Sequence, residues 1–163
     1  MTLGDWSNFF LGELGAAAAL AGLLFVAVSV NQQRILSLGR MADRGLEALG
    51  MLLLVIIVAS LPLIPGQPPR LLGGEILIVG IIIFLALWPL QLAYLGAVEA
   101  AYRRQSGRMV AGNRAAMLII ILAGAVLLWR GDLVGLYFLP LGILMTFFAV
   151  GINSWVLLIE INR

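Results

Sequence analysis

The side chains able to do chemistry are few in this sequence, and the missing types narrow its function more than those present. No histidine, cysteine or lysine occurs among the 163 residues. Without Cys or His there is no ordinary zinc, iron–sulfur or His-ligated haem site and no Cys or His nucleophilic centre. Without Lys there is no Schiff base to retinal or pyridoxal phosphate. Serine chemistry lacks a His or Lys base, and carboxylate chemistry needs two acids close together. The residues therefore predict a non-enzyme with no cofactor and no bound metal.

What remains is a sparse set of polar groups scattered over apolar segments. Glu13 and Asn31 are eighteen residues apart in the first apolar run, which is five whole turns at about 3.6 residues per turn, so they share an azimuth at opposite ends. Gln33 follows just beyond. Gln91 and Tyr94 lie shortly after Trp88 and Pro89 in the third run, where the proline removes a backbone donor and predicts a kink. Asn153 interrupts the last run; left in hydrocarbon it would cost several kcal/mol, so it is predicted to face the interior near the Asn31 end of the first run. Glu13, Asn31, Gln33, Gln91 and Asn153 are thus the candidate pore or polar-face residues. Glu47 stands three residues after Arg44 and Glu99 four before Arg103, spacings that pair charges along a helix. Either glutamate, if buried and unpaired, becomes a candidate proton or cation site. Glu75 is expected to cap the start of the third run.

The elements carrying these groups are membrane spans. Hydrophobic residues make up 63% of the chain and charged ones 11%, against roughly 45–50% and 25% in an average soluble domain. Five runs, 10–30, 46–64, 76–98, 115–129 and 133–158, are long enough, or nearly so, to cross a hydrocarbon core of about 30 Å as helices. They do not alternate as barrel strands do. The fourth is the shortest, and a re-entrant segment is an alternative there. Pro62, Pro65, Pro68 and Pro69 with Gly66 predict a stiff turn between the second and third. Arg130, Gly131 and Asp132 close the last two into a tight hairpin.

Arg34, Arg40, Arg44, Arg103, Arg104, Arg108, Arg114 and Arg163 fall on one side of the spans, and only Arg70 and Arg130 on the other. That asymmetry puts the eight in the cytoplasm, the N-terminus outside and the C-terminus inside. The net charge of +2 comes from residues beside apolar spans, where topology places them, and predicts no nucleic-acid partner. The predicted fold is a single all-α integral membrane bundle of five transmembrane helices with the lipid bilayer as its main partner.

Small residues mark two faces. On the first run Gly12, Gly15, Ala19 and Gly22 recur with Val26, Ser29 and Gln33; on the last, Gly135 and Gly142 recur with Thr146, Ala149, Asn153, Val156 and Glu160. In lipid, helices associate through close packing, which small residues permit. The first helix is expected to lie inside the assembly, its seam packing within one subunit or lining a contact or pore between subunits.

The segment Gly22 to Asn31 (GLLFVAVSVN), with Arg34-Ile35-Leu36 after it, and Leu63 to Gln67 (LIPGQ) resemble a family of small uncharacterised bacterial inner-membrane proteins. The resemblance covers about the first half of the chain. It implies a bacterial plasma-membrane location and brings no activity or functional residue with it. Two functions fit the sequence. One is a homo-oligomeric ion or small-solute channel lined by the first helix; the other is a non-catalytic accessory or regulatory subunit packed against a larger membrane complex. A transporter built around the Pro89 kink is weakened by the lack of an internal repeat.

Overall fold

The computed structural model describes residues 2–37, 41–100 and 102–158, and nearly all of these are helical. A 3-10 turn at Leu3–Trp6 leads into α1 (Ser7–Val30), and the short α2 (Gln32–Ser37) follows after Asn31. Then come α3 (Met41–Ser60), α4 (Pro69–Ala97), α5 (Arg103–Arg130) and α6 (Phe138–Leu158). All but α2 belong to five helices long and apolar enough to cross a membrane. Even α3, the shortest of them at 20 residues, reaches about 30 Å at 1.5 Å per residue.

Two boundaries differ most from the hydropathy reading. Helix α5 begins at Arg103 rather than near Ala115, so its 28 residues reach about 42 Å, long enough to cross the full hydrocarbon thickness. Arginines and small polar residues dilute the hydropathy of its first turns. The helical period nonetheless continues through them, because Ser106, Val110, Asn113, Ala116, Met117 and Ile120 are all buried. Helix α4 begins at Pro69 rather than near Ile76. Pro68 is extended at its N-cap, and proline at the first helical position gives up only a donor that has no intrahelical partner. The four prolines do form the turn, but the last of them opens the helix. Pro89 lies inside α4, which runs through it to Ala97.

Helices α3, α4, α5 and α6 form a closed ring in which α3 meets α4, α4 meets α5, α5 meets α6 and α6 returns to α3. Helix α1 packs outside that ring, against α3 and α6. Trp6 meets the Tyr137 ring edge-on at 5.2 Å between centroids, which brings the starts of α1 and α6 together. The end of the bundle holding the α4–α5 connection and Arg44, Arg103, Arg104, Arg108 and Arg114 is called the basic end below, and the opposite one the far end. Arg40, Glu160 and Arg163 lie outside the described residues.

At the far end the helices are pressed together. A Cβ on Gly73 of α4 would lie 2.4 Å from Leu128 N and 2.8 Å from Gly124 O of α5, and one on Gly124 would lie 2.7 Å from Leu77 N. Gly135, in the 3-10 turn Leu133–Tyr137, and Gly142 of α6 sit seven residues apart against α5, each with a backbone carbonyl, Ala123 O at 2.7 Å and Ala116 O at 3.2 Å, facing the missing Cβ. That part of the predicted seam packs within the chain.

The α1 seam does not. Gly12, Gly15 and Gly22 have nothing within 4 Å of the position a Cβ would take, and Ala19 is exposed. The face α1 buries carries Phe10, Ala17, Leu24 and Ala27 instead. At 3.6 residues per turn these lie on the side of Glu13 and Asn31, about half a turn from Gly15 and Gly22. Helix α1 is therefore peripheral rather than interior. Phe10 and Leu24 fill the groove between α3 and α6, and the small residues face outward together with Leu11 and Val26.

Candidate functional site

Near the basic end the ring closes around polar side chains rather than glycine contacts. Arg44 and Glu47 come from the first turns of α3, Gln91 and Tyr94 from α4, Ser106, Asn113 and Arg114 from α5, and Asn153 from α6. Arg44, Glu47, Gln91, Ser106, Asn113 and Asn153 are each less than a tenth exposed. Glu47 is six residues into α3, about 9 Å along its axis, so the cluster lies below the helix ends and not on the surface.

Glu47 is the acceptor at the centre. Its Oε1 accepts from Gln91 Nε2 at 2.7 Å and from Asn113 Nδ2 at 2.8 Å. Gln91 also links outward, because its Oε1 accepts from Arg114 Nε at 2.7 Å. The Arg114 guanidinium lies 3.8 Å from the centroid of the Trp88 ring, a cation–π contact. One residue of α4 thereby couples a carboxyl on α3 to a guanidinium on α5. Next to it Arg44 Nη2 donates to Asn153 Oδ1 at 2.6 Å and its guanidinium faces the Tyr94 ring at 5.2 Å. The Tyr94 and Ser106 hydroxyls are 3.3 Å apart.

This arrangement corrects the predicted Arg44–Glu47 pair. The two are three apart on one helix, but Arg44 turns to α6 and Glu47 to α4 and α5. Charge-assisted bonds to neighbouring helices replace a local surface pair. Asn153 faces the interior, as predicted, but its partner is Arg44 and not the Asn31 region. Asn31 Nδ2 bonds back to Ala27 O of its own helix at 3.1 Å. Of the predicted polar-face residues, the structure brings together only Gln91 and Asn153. Glu13 and Asn31 are half-buried on the bundle side of α1, and Gln33 is exposed. Glu75 accepts from the Gln67 side chain instead of capping α4.

Asn113 and Ser106 went unnoticed in the sequence because the apolar run of α5 was read as beginning only after them. Their signal was the three- and four-residue spacing that leads from Ser106 through Val110 and Asn113 into the apolar run. Asn153 Nδ2 and Arg114 Nη2 are buried donors with no acceptor among the described residues. The cluster holds two guanidiniums to one carboxyl and more donors than acceptors. Glu47 is the only carboxyl in these hydrogen bonds, so no acid pair forms. Among the described residues no group of three or more Asp or Glu is placed to hold a metal. The geometry acts as a latch joining four helices.

Fold and cluster together describe a helical bundle of the multi-pass membrane type, with five helices long and apolar enough to span. Compared with known proteins, the chain matches no family model, no curated protein and no solved structure.

Proposed function

We propose that the chain is a non-catalytic subunit of a bacterial inner-membrane assembly, docked to a neighbouring transmembrane helix through the outward face of α1. One observation carries this reading. Gly73, Gly80, Gly124 and Gly142 of α4, α5 and α6 are closed by backbone or side-chain contacts and the open glycines of those helices are scattered singly, whereas Gly12, Gly15 and Gly22 of α1 stand open along one face. Small residues allow helices to approach closely in lipid. Glu13 and Asn31 point toward the bundle, which leaves the seam apolar along most of its length and suited to a dry contact. The positive-inside bias supports a cytoplasmic basic end and an N-terminus outside. The cysteine-free chain makes the test direct: Gly15→Cys and Ala19→Cys are oxidised in native membranes. The expected product is a crosslinked dimer if the partner is a second copy. A stoichiometric foreign subunit in a mild-detergent extract identifies an accessory role. A monomer in both assays overturns the proposal.

A second reading is a homo-oligomeric ion or small-solute channel with its path between copies. It is favoured by the closed interior of the single chain. Met51, Leu54, Val58, Ile76, Ile120 and Leu139 are fully buried between the cluster and the far end, leaving no polar route through one subunit among the described residues. Ser29 and Gln33 at the basic end of the α1 face would line such a path. Conductance of reconstituted protein above that of empty liposomes, lost in Gly15→Leu, supports it; no conductance from a symmetric oligomer rules it out.

A further inference from the structure

The ring loosens between α5 and α6 at the basic end. The column Gly135, Gly142 continues seven residues on to Ala149, but instead of a third close contact the helices part there. A cleft of about 640 Å³ opens between Met109 and Gly112 of α5 and Leu144, Phe148 and Ile152 of α6. A Cβ added to Gly112 would meet nothing within 4 Å. The walls are apolar and one side is open. From Gln105 to Asn113 the cleft follows nine residues of α5, a rise of about 12 Å.

Its two ends differ. Arg108 and Gln105 stand at the basic end, both exposed, and α5 carries no acidic residue anywhere along its length. Asn113 forms the deep end, its amide already committed to Glu47. An apolar slot open along one flank suits a flexible hydrocarbon chain entering from the side. A guanidinium at the mouth suits an anionic oxygen on the same molecule.

We propose that this cleft binds an acyl chain of one anionic phospholipid, with the phosphate held by Arg108 and the Gln105 amide. The site is independent of the α1 seam. It places a lipid against Asn113, one of the two donors to Glu47, so occupancy bears on the buried cluster as well as on the surface.

The test is native mass spectrometry of the delipidated full-length chain in mild detergent, offered equal amounts of phosphatidylglycerol and phosphatidylethanolamine with matched chains. The expected result is one phosphatidylglycerol retained per chain in preference to phosphatidylethanolamine. Arg108→Gln, an exposed change, lowers that preference about fivefold, the weight of one cation near an anionic lipid surface. Gly112→Leu fills the cleft where the backbone leaves room, and abolishes retention of both lipids while circular dichroism shows an unchanged melting temperature. Equal retention of the two lipids by the unmodified chain overturns the proposal. So does a folded Gly112→Leu that still holds phosphatidylglycerol, or one whose only change is loss of a protein partner. Crosslinking at Gly15→Cys stays the same in every arm, so failure here is distinct from failure of the α1 docking.

Discussion

The two ends of the four-helix ring are held by opposite means. At the far end α4, α5 and α6 meet backbone to backbone at Gly73, Gly124, Gly135 and Gly142. At the basic end the helices are bridged by Arg44, Glu47, Gln91, Asn113, Arg114 and Asn153. Between α5 and α6 they stand far enough apart there to leave a cleft. The contrast shows how one bundle can be rigid and adaptable at once. Glycine contacts depend on shape alone and fail if any atom is added. A polar latch depends on partners, and its strength follows which acceptor is present.

The contrast is broken most severely at the glycines. Gly73→Leu forces a side chain into Leu128 N and Gly124 O. Backbone cannot swing aside as a side chain can, so the loss should exceed about 3 kcal/mol. Thermal unfolding in detergent should show a large drop or no folded material. A melting temperature close to that of the unmodified chain would mean that the far end is not a shape-determined contact.

The latch should be costly in a graded way. Glu47→Ala leaves Gln91 Nε2 and Asn113 Nδ2 buried without their acceptor and two guanidiniums without a nearby carboxyl, a loss of about 2–3 kcal/mol. Glu47→Gln keeps a carbonyl acceptor of the same shape and should lose only about 1 kcal/mol. Denaturation by sodium dodecyl sulfate measures both. Equal losses would show that charge rather than hydrogen bonding dominates, and no loss in either would remove the latch from the account of stability.

The far end was the more legible of the two in the sequence. Long apolar runs, prolines between spans and glycines at heptad spacing carry their meaning locally, and they announced five helices and the Gly135–Gly142 contact. The latch was only half legible. Gln91 and Asn153 stood out because they interrupt apolar runs. Arg114 and Asn113 did not, since on hydropathy alone they read as the edge of a short span. Glu47 looked like the partner of Arg44 because spacing along one helix is visible in a sequence and the approach of three other helices is not. The α1 face shows the same limit. Its small-residue stripe was plain, but the choice between burying Gly15 and burying Ala17 and Leu24 depends on the groove that α3 and α6 present.

That α1 choice gives a milder test of where shape matters. Gly15→Leu adds volume where nothing lies within 4 Å, so the isolated chain should keep its stability within about 0.5 kcal/mol. Association should weaken in the same variant, as measured by the Ala19→Cys crosslink. A large loss of monomer stability would place α1 inside the fold after all and erase its difference from the glycines of the ring.

The smallest effect belongs to an exposed ion pair at the far end. Arg130 Nη2 and Asp132 Oδ2 are 3.0 Å apart, with their side chains 51% and 44% exposed, and exposed pairs contribute little. Asp132 also caps the 3-10 turn before α6 by accepting from Val134 N at 3.1 Å, and Gly131 supplies the left-handed turn at φ 70°. The Arg130 side-chain hydrogen bond first, and the Val134 amide second, hold the Asp132 carboxyl below its ordinary range. A depressed carboxyl contributes fully above its unfolded pKa, and the contribution disappears as pH falls through the lower folded value. Asp132→Asn retains an acceptor for Val134 N and removes the charge. The difference in melting temperature between the two chains should therefore be small and constant at neutral pH and shrink toward zero in acid below about pH 4. If the difference stayed large in acid, the hairpin would depend on the carboxyl for something other than its charge. If it were absent throughout, backbone geometry alone would close the corner, and the far end would owe its hold wholly to shape.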